Sequence, residues 1–231
     1  MADDQRRALE RPLYNYADAD HLAQLSHGTA KRWLVGYRYR HEAKGLVDRP
    51  PVTPRSRRHA DGGVSFLDLV ELVAIGGLKT LGFSLPKIRA IVTNCQELLE
   101  VPRPLVSLRF KTDGREIFVA RHGQLIEVLG KKGRQAWNDV LEPFLKSLEY
   151  ERELALACRW WPLGKGSPIV VDPYYGYGFP VIHASGVRTE IVLERFQAGD
   201  LEHQIAEDFN LDPLEVERAL QFELTRLSRA A

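Results

Sequence analysis

The stretch YADADHLAQLSHGTAKRWLVGY, residues 16 to 37, constrains the fold more than any other part of the chain. Its first half reads as a helix with Ala19, Leu22, Ala23 and Leu25 at the apolar positions. Its second half reads as a short helix stopped at Gly36, and the polar SHG lies between them. Asp18 or Asp20 can cap the first helix, and Ser26 or Thr29 can open the second. Leu22, Leu25, Ala30, Trp33 and Leu34 have the spacing to bury a common seam while Lys31 and Arg32 point away from it. That pattern is a helix-turn-helix, whose second helix presents side chains to the major groove of DNA.

Charge supports the same reading once it is counted by segment. The formal net charge of +1 suggests no particular partner. Residues 28 to 60, however, carry nine Lys or Arg against Glu42 and Asp48, a balance of +7, whereas residues 186 to 231 carry five Arg against ten Asp or Glu, a balance of −5. A local positive field binds a polyanion even in a near-neutral chain, because screening confines charge effects to about 10 Å at moderate salt. Arg38, Arg40, Lys44, Arg55, Arg57 and Arg58 fall in YRYRHEAKGLVDRPPVTPRSRRHADGG, which reads as a wing. Its prolines and Arg cluster favour a two-stranded ribbon with a mobile tip over a packed sheet. A solvated charged loop is the plain alternative.

Beyond the wing the apolar period becomes 3.6, with Phe66, Leu69, Val70, Val73 and Leu78 on one stripe. A second helix follows from Leu85, capped by Ser84, with Pro86 in its first turn. Residues 103 to 129 read as a three-stranded antiparallel meander with turns at TDG and RHG. A helix over RQAWNDVLEPFLKSLEYERELA covers it, bent or divided at Pro143. Short strands at CRWWPL and SPIVVDP, then three helices from TEIVLERFQ onward, complete an α+β chain. Its C-terminal helix-turn-helix is acidic, which suits a protein partner or a dimer seam better than phosphate.

Chemistry-bearing motifs are sparse. Seven His are scattered without HExxH, and Cys95 and Cys158 have no metal-ligand spacing. Asp61, Asp68 and Glu71 form a candidate acidic set without a matching base. GKKG at 130–133 lacks a nucleic-acid module around it and reads as a turn. Trp137, Tyr150, Trp160 and Trp161 could wall a pocket but suit a core better. No catalytic residue, metal or cofactor is therefore assigned. The chain has no run of about eighteen apolar residues, and its N-terminus is charged, so a cytoplasmic location is expected.

Residues 16 to 37, together with SFLDLVELVAIGGLKTLGFSLPKIRAIV, resemble the winged helix-turn-helix of MerR-type regulators. IVVDPYYGYGFPVIHASGVRTEIVLERFQAGDLEHQIAEDFNLDPLEVERALQFE resembles the small DUF433 domain. The combination is similar to a long VapB-type antitoxin. The resemblance implies a MerR-like DNA-binding region at 14–100, a strand-rich linker with its covering helix at 101–158, and a DUF433-like domain at 159–231. It places Thr29, Ala30, Lys31, Arg32 and Trp33 on the DNA-reading helix, with Trp33 as a core anchor, and Arg38, Arg40, Lys44, Arg55, Arg57 and Arg58 on or beside the wing. It gives Asp172, Pro173, Gly178, Pro180 and Val181 a structural turn and Gly199 a break before the last two helices. It implies a homodimeric autoregulator that binds double-stranded operator DNA and neutralises a PIN-type ribonuclease toxin. The toxin-binding surface is left open, with Arg159, Arg188 and Arg195 as candidates. A stand-alone or ligand-responsive regulator without a toxin is the competing expectation.

Overall fold

In the computed structural model, which describes residues 2–42, 45–53, 63–119 and 133–230, the chain opens with α1 (Ala2–Glu10) and a short strand β1 (Pro12–Tyr14). Helices α2 (Tyr16–Leu22) and α3 (Thr29–Val35) follow, then a ribbon of β2 (Tyr37–His41) and β3 (Gly45–Arg49). Strand β4 (Val64–Ser65) returns to pair antiparallel with β1 and leads directly into α4 (Phe66–Thr80), and α5 (Leu85–Leu99) packs beside it. The expected helix-turn-helix, two-stranded ribbon and second helical pair are all present, and Ser84 caps α5 with Pro86 in its first turn. The ribbon's tip at 43–44 lies outside the described residues.

The burial of α4 extends well beyond one stripe. Phe66, Leu67, Leu69, Val70, Leu72, Ile75 and Leu78 are all fully buried. A helix apolar nearly all round belongs at the centre of a core. Its polar start is satisfied locally, because the Ser65 hydroxyl accepts from the Asp68 amide and the Asp68 carboxylate accepts from the Ser65 amide in a capping box. Asp68 and Glu71 also grip Arg103, at 2.8 and 2.7 Å. Burial pushes the Glu71 carboxyl up from its ordinary value, with the guanidinium pulling against it. This acidic pair is thus part of the core's polar interior, and Asp61 lies outside the described residues.

The middle of the chain departs from the expected meander. Residues 104–106 form a 3₁₀ turn and Leu108–Val119 form helix α6; the remainder of the expected meander, 120–129, lies outside the described residues. Ser107 opens α6 by accepting from the Phe110 amide, and Phe110 is fully buried one turn on. Gly114, read as a turn residue, sits inside the helix because a Cβ there would lie 2.9 Å from the Trp137 ring. The covering helix is also shorter than expected: α7 (Gly133–Ala136), a π turn over Trp137–Leu141 and α8 (Glu142–Lys146). The bulge precedes Pro143, which has no amide hydrogen to donate. The next residues turn into β5 (Leu148–Glu151), antiparallel to β6 (Leu156–Trp160). The four aromatics go to core, as expected: Trp137 and Trp160 are buried in the main cluster, Tyr150 packs against it, and Trp161 is buried in a small separate cluster.

Strand β6 continues through position 158, and Trp160 exchanges two backbone hydrogen bonds with Val171. Strands β7 (Ile169–Val170) and β8 (Val181–Ile182) pair antiparallel. Helices α9 (Thr189–Gln197), α10 (Glu202–Phe209) and α11 (Pro213–Ala230) form the acidic C-terminal part. Asp172 holds the turn between β7 and β8, accepting from the Tyr174 amide and from Arg159. The main core runs from Leu9 to Val171, and a second core gathers Ile169, Ile182, Val192, Ile205, Val216, Ala219 and Phe222.

Candidate nucleic-acid interface

The two helices of the N-terminal pair are held by caps that the sequence reading placed elsewhere. Asn15 caps α2 through a capping box with Asp18. Asp20, 3% exposed, reaches across the turn and accepts from the backbone N–H groups of Gly28 and Ala30, both at 2.6 Å. Those are donors at the N-terminus of α3, so a carboxylate on one helix fixes the start of the next. Ala30, Trp33 and Leu34 bury the inner face of α3.

Lys31 and Arg32 are exposed side by side on the outer face. Each is steadied from within: the Lys31 ammonium lies 5.9 Å from the centroid of the Tyr16 ring, and Arg32 donates to the Thr29 hydroxyl at 3.0 Å. Thr29 itself is 7% exposed, so its visible part is to orient Arg32.

The ribbon grows directly out of α3. Gly36, at φ 82°, makes the turn, and a Cβ there would lie 2.5 Å from the Arg49 carbonyl oxygen. Replacing Gly36 with Ala is therefore expected to cost about 2 kcal/mol through left-handed strain and backbone crowding; a thermal melt checks it. The far end of the ribbon returns to the same helix, with the Val52 amide donating to the Trp33 carbonyl at 2.7 Å. Arg89 of α5 pins that return by donating to the Pro50 and Pro51 carbonyls at 2.7 and 2.9 Å. Partial burial, with Arg49 nearby, lowers the Arg89 guanidinium from its ordinary value.

Register sorts the ribbon into two faces. Arg38 and Arg40 lie opposite Asp48 and Leu46, and Arg38 pairs with Asp48 at 3.1 Å with both side chains largely exposed. Tyr37, Tyr39 and His41 form an aromatic row on the other face, and Arg49 donates to the Tyr39 hydroxyl. The structure thus brings Lys31, Arg32, Arg38 and Arg40 onto two adjoining elements. Lys44, Arg55, Arg57 and Arg58 lie outside the described residues. Sequence reasoning passed over Asp20 as a cross-helix cap, Arg49 on the ribbon and Arg89 at its base. Arg49 had a signal, because it closes a β-rich GLVDR run able to pair with YRYRH.

The three arginines of the toxin-facing candidate set each make ion pairs within the chain. Arg159 bridges Glu149 and Asp172, Arg188 pairs with Glu190, and Arg195 with Asp200 and Asp208. Burial pushes the Cys95 thiol up to about 12 and the Cys158 thiol up to about 11, far from a reactive thiolate at neutral pH. Among the described residues, no group of three His, Cys, Asp or Glu is placed to hold a metal ion. No helix among them is long and apolar enough to cross a membrane.

Comparison with known proteins shows what this arrangement is similar to. Residues 12–92 match a domain family described as "Putative DNA-binding HTH domain", and residues 169–222 match DUF433, a protein family of unknown function. The chain thus carries a segment similar to helix-turn-helix DNA-binding domains toward its N-terminus and a segment similar to DUF433 toward its C-terminus. It is distantly related to "Putative antitoxin VapB45" of Mycobacterium tuberculosis (strain ATCC 25618 / H37Rv), at 25% identity over 240 aligned positions, covering 95% of this chain and 98% of the relative. "Uncharacterized protein Rv2308" of the same organism is 25% identical over 223 positions, covering 93% of this chain and 91% of that protein. The crystal structure of Rv2018 from Mycobacterium tuberculosis shares the fold, with a TM-score of 0.64 at 21% identity over 92% of this chain and 99% of that one.

Proposed function

We propose that the protein is an antitoxin of a type II toxin–antitoxin system that represses its own operon and neutralises a PIN-type ribonuclease. The observation that carries the DNA half is the paired exposure of Lys31 and Arg32 on a helix whose inner face is buried and whose start is fixed by Asp20. A homodimer sets two such helices on paired half-sites, with Arg38, Arg40 and the wing cations Lys44, Arg55, Arg57 and Arg58 on the backbone or minor groove. The antitoxin half is supported by the near full-length likeness to a relative that bears that name. Neutralisation would be steric and electrostatic, through a surface distinct from the DNA-facing helix.

The test is binding to the DNA upstream of its own reading frame across a salt series, with an unrelated duplex of equal length as control. Preferential binding, with log affinity falling steeply against log salt, is the expected result. Equal weak binding to both duplexes would remove the operator role. Changing Lys31 and Arg32 together to Ala is expected to weaken operator binding tenfold or more and to flatten the salt slope by about 2, with the melting temperature unchanged. For the toxin half, co-expression with a PIN-type ribonuclease from the adjacent reading frame should relieve growth arrest; persistent arrest despite soluble antitoxin would refute it.

A further inference from the structure

A cavity of about 270 Å³ lies where α2 of the helix-turn-helix meets α9 and α11 of the C-terminal part. Two guanidiniums line it. Arg226 is 3% exposed, and one of its terminal nitrogens donates to both carboxylate oxygens of Glu223, which also accepts from the Thr189 hydroxyl. Arg188 lies 4.3 Å from the centroid of the Phe179 ring and pairs with Glu190 at 2.6 Å. In each case Glu engages a single terminal nitrogen, and the Nε of both Arg has no hydrogen-bond partner among the described residues. A buried guanidinium with unfilled donor capacity is a costly arrangement for a structural role alone.

The remaining walls narrow the chemistry. Leu22, Phe179, Leu193 and Leu227 give the cavity an apolar flank, and Asp18 and Glu194 place carboxylates at its edge. Glu194 is exposed and makes no ion pair among the described residues. His21, on the α2 side, is lowered from its ordinary value by burial and by Arg226, opposed by Glu223, Glu190 and Asp18, so it adds no strong positive charge at neutral pH. A simple anion drawn to the Arg pair would meet the Asp18 and Glu194 carboxylates. A molecule with both charges and an apolar body would satisfy each wall.

We propose that this cavity binds a small zwitterion of the α-amino acid class, its carboxylate toward Arg188 and Arg226, its ammonium toward Glu194 and Asp18, and its apolar side chain against Leu193 and Leu227. The volume of about 270 Å³ falls just below the range for drug-sized ligands and suits a body the size of leucine. The site stands on its own geometry and does not depend on the DNA-binding reading.

The test uses the full chain without DNA. Leucine, phenylalanine, 4-methylpentanoate and 3-methylbutylamine are titrated by calorimetry and by thermal melt. Leucine or phenylalanine at a hundredfold excess over Kd is expected to raise the melting temperature by roughly 5 °C or more, with the carboxylate and the amine far weaker. Arg188→Gln should weaken binding tenfold or more. Glu194→Gln, at a solvated position that leaves folding intact, should erase the preference for leucine over 4-methylpentanoate. No heat and no shift from either amino acid would overturn the proposal, as would binding that survives both substitutions unchanged.

Discussion

Asp20→Ala is expected to lower stability by about 3 kcal/mol and to weaken operator binding at temperatures where the variant is still folded. The reason is the pair of 2.6 Å hydrogen bonds from the Gly28 and Ala30 amides to one buried carboxylate. Loss of a helix cap alone costs roughly 0.5–2 kcal/mol. Here the acceptor is charged and buried, and two donors are orphaned at once, which raises the figure. The melting temperature should fall by roughly 6–12 °C for a chain of this size. Asp20→Asn keeps one acceptor oxygen but turns an NH₂ toward the second amide, so it should fall between parent and Ala. A melt unchanged in Asp20→Ala would show that α3 is held by its buried face alone.

The second large effect is expected at the polar interior of the main core. Arg103→Met leaves Asp68 and Glu71, each about 1% exposed at the side chain, without their counter-ion. Breaking a buried pair from one side costs roughly 3–5 kcal/mol, because the stranded charge keeps its desolvation penalty. We expect about 4 kcal/mol, read by denaturant unfolding. The double variant Arg103→Met with Glu71→Leu should recover a large share of that loss, an outcome that lost packing would not produce. Acidity supplies a further signature. Burial already raises the Glu71 carboxyl, so the folded state binds its proton more readily than the unfolded chain does. Its contribution is therefore favourable at low pH and lost as pH rises. Without Arg103 the stability gap to the parent should widen as pH rises beyond the ordinary carboxylate range.

The helix-turn-helix was legible because its signals are local: a 3.6 period, a polar turn and a glycine stop lie within residues 16–37. The wing followed from composition, although pairing of Arg38 with Asp48 and of Arg49 with Tyr37 required knowing the register. The central region was misread where glycine had two meanings. Gly114 looked like a hairpin turn, but its small size is used to admit the Trp137 ring against α6, a contact between residues far apart in sequence. The same applies to the strand after Lys146, since Leu148–Glu151 is extended through its pairing with β6, and its local sequence reads equally well as helix. Asp20 was read as a helix-start residue because cap rules look a few residues along one helix, whereas its donors lie eight and ten residues ahead. The cavity between α2, α9 and α11 gathers residues as far apart as Asp18 and Leu227 and had no sequence signal.

Strand β7 and the residue after it send three successive side chains to three different interiors: Ile169 to the C-terminal core, Val170 to a small cluster with Trp161 and Val181, and Val171 to the main core. Because alternate residues of a strand face opposite sides, a single inserted residue here would exchange those destinations throughout the segment. The join also leaves no harmless cutting point between Trp160 and Ile182. A fragment ending before Ile169 would lose Val171 from the larger interior, and one beginning after it would lack Ile169 from the smaller. The two parts of the chain are therefore riveted through one short tripeptide, so a blow to either interior is felt in the other.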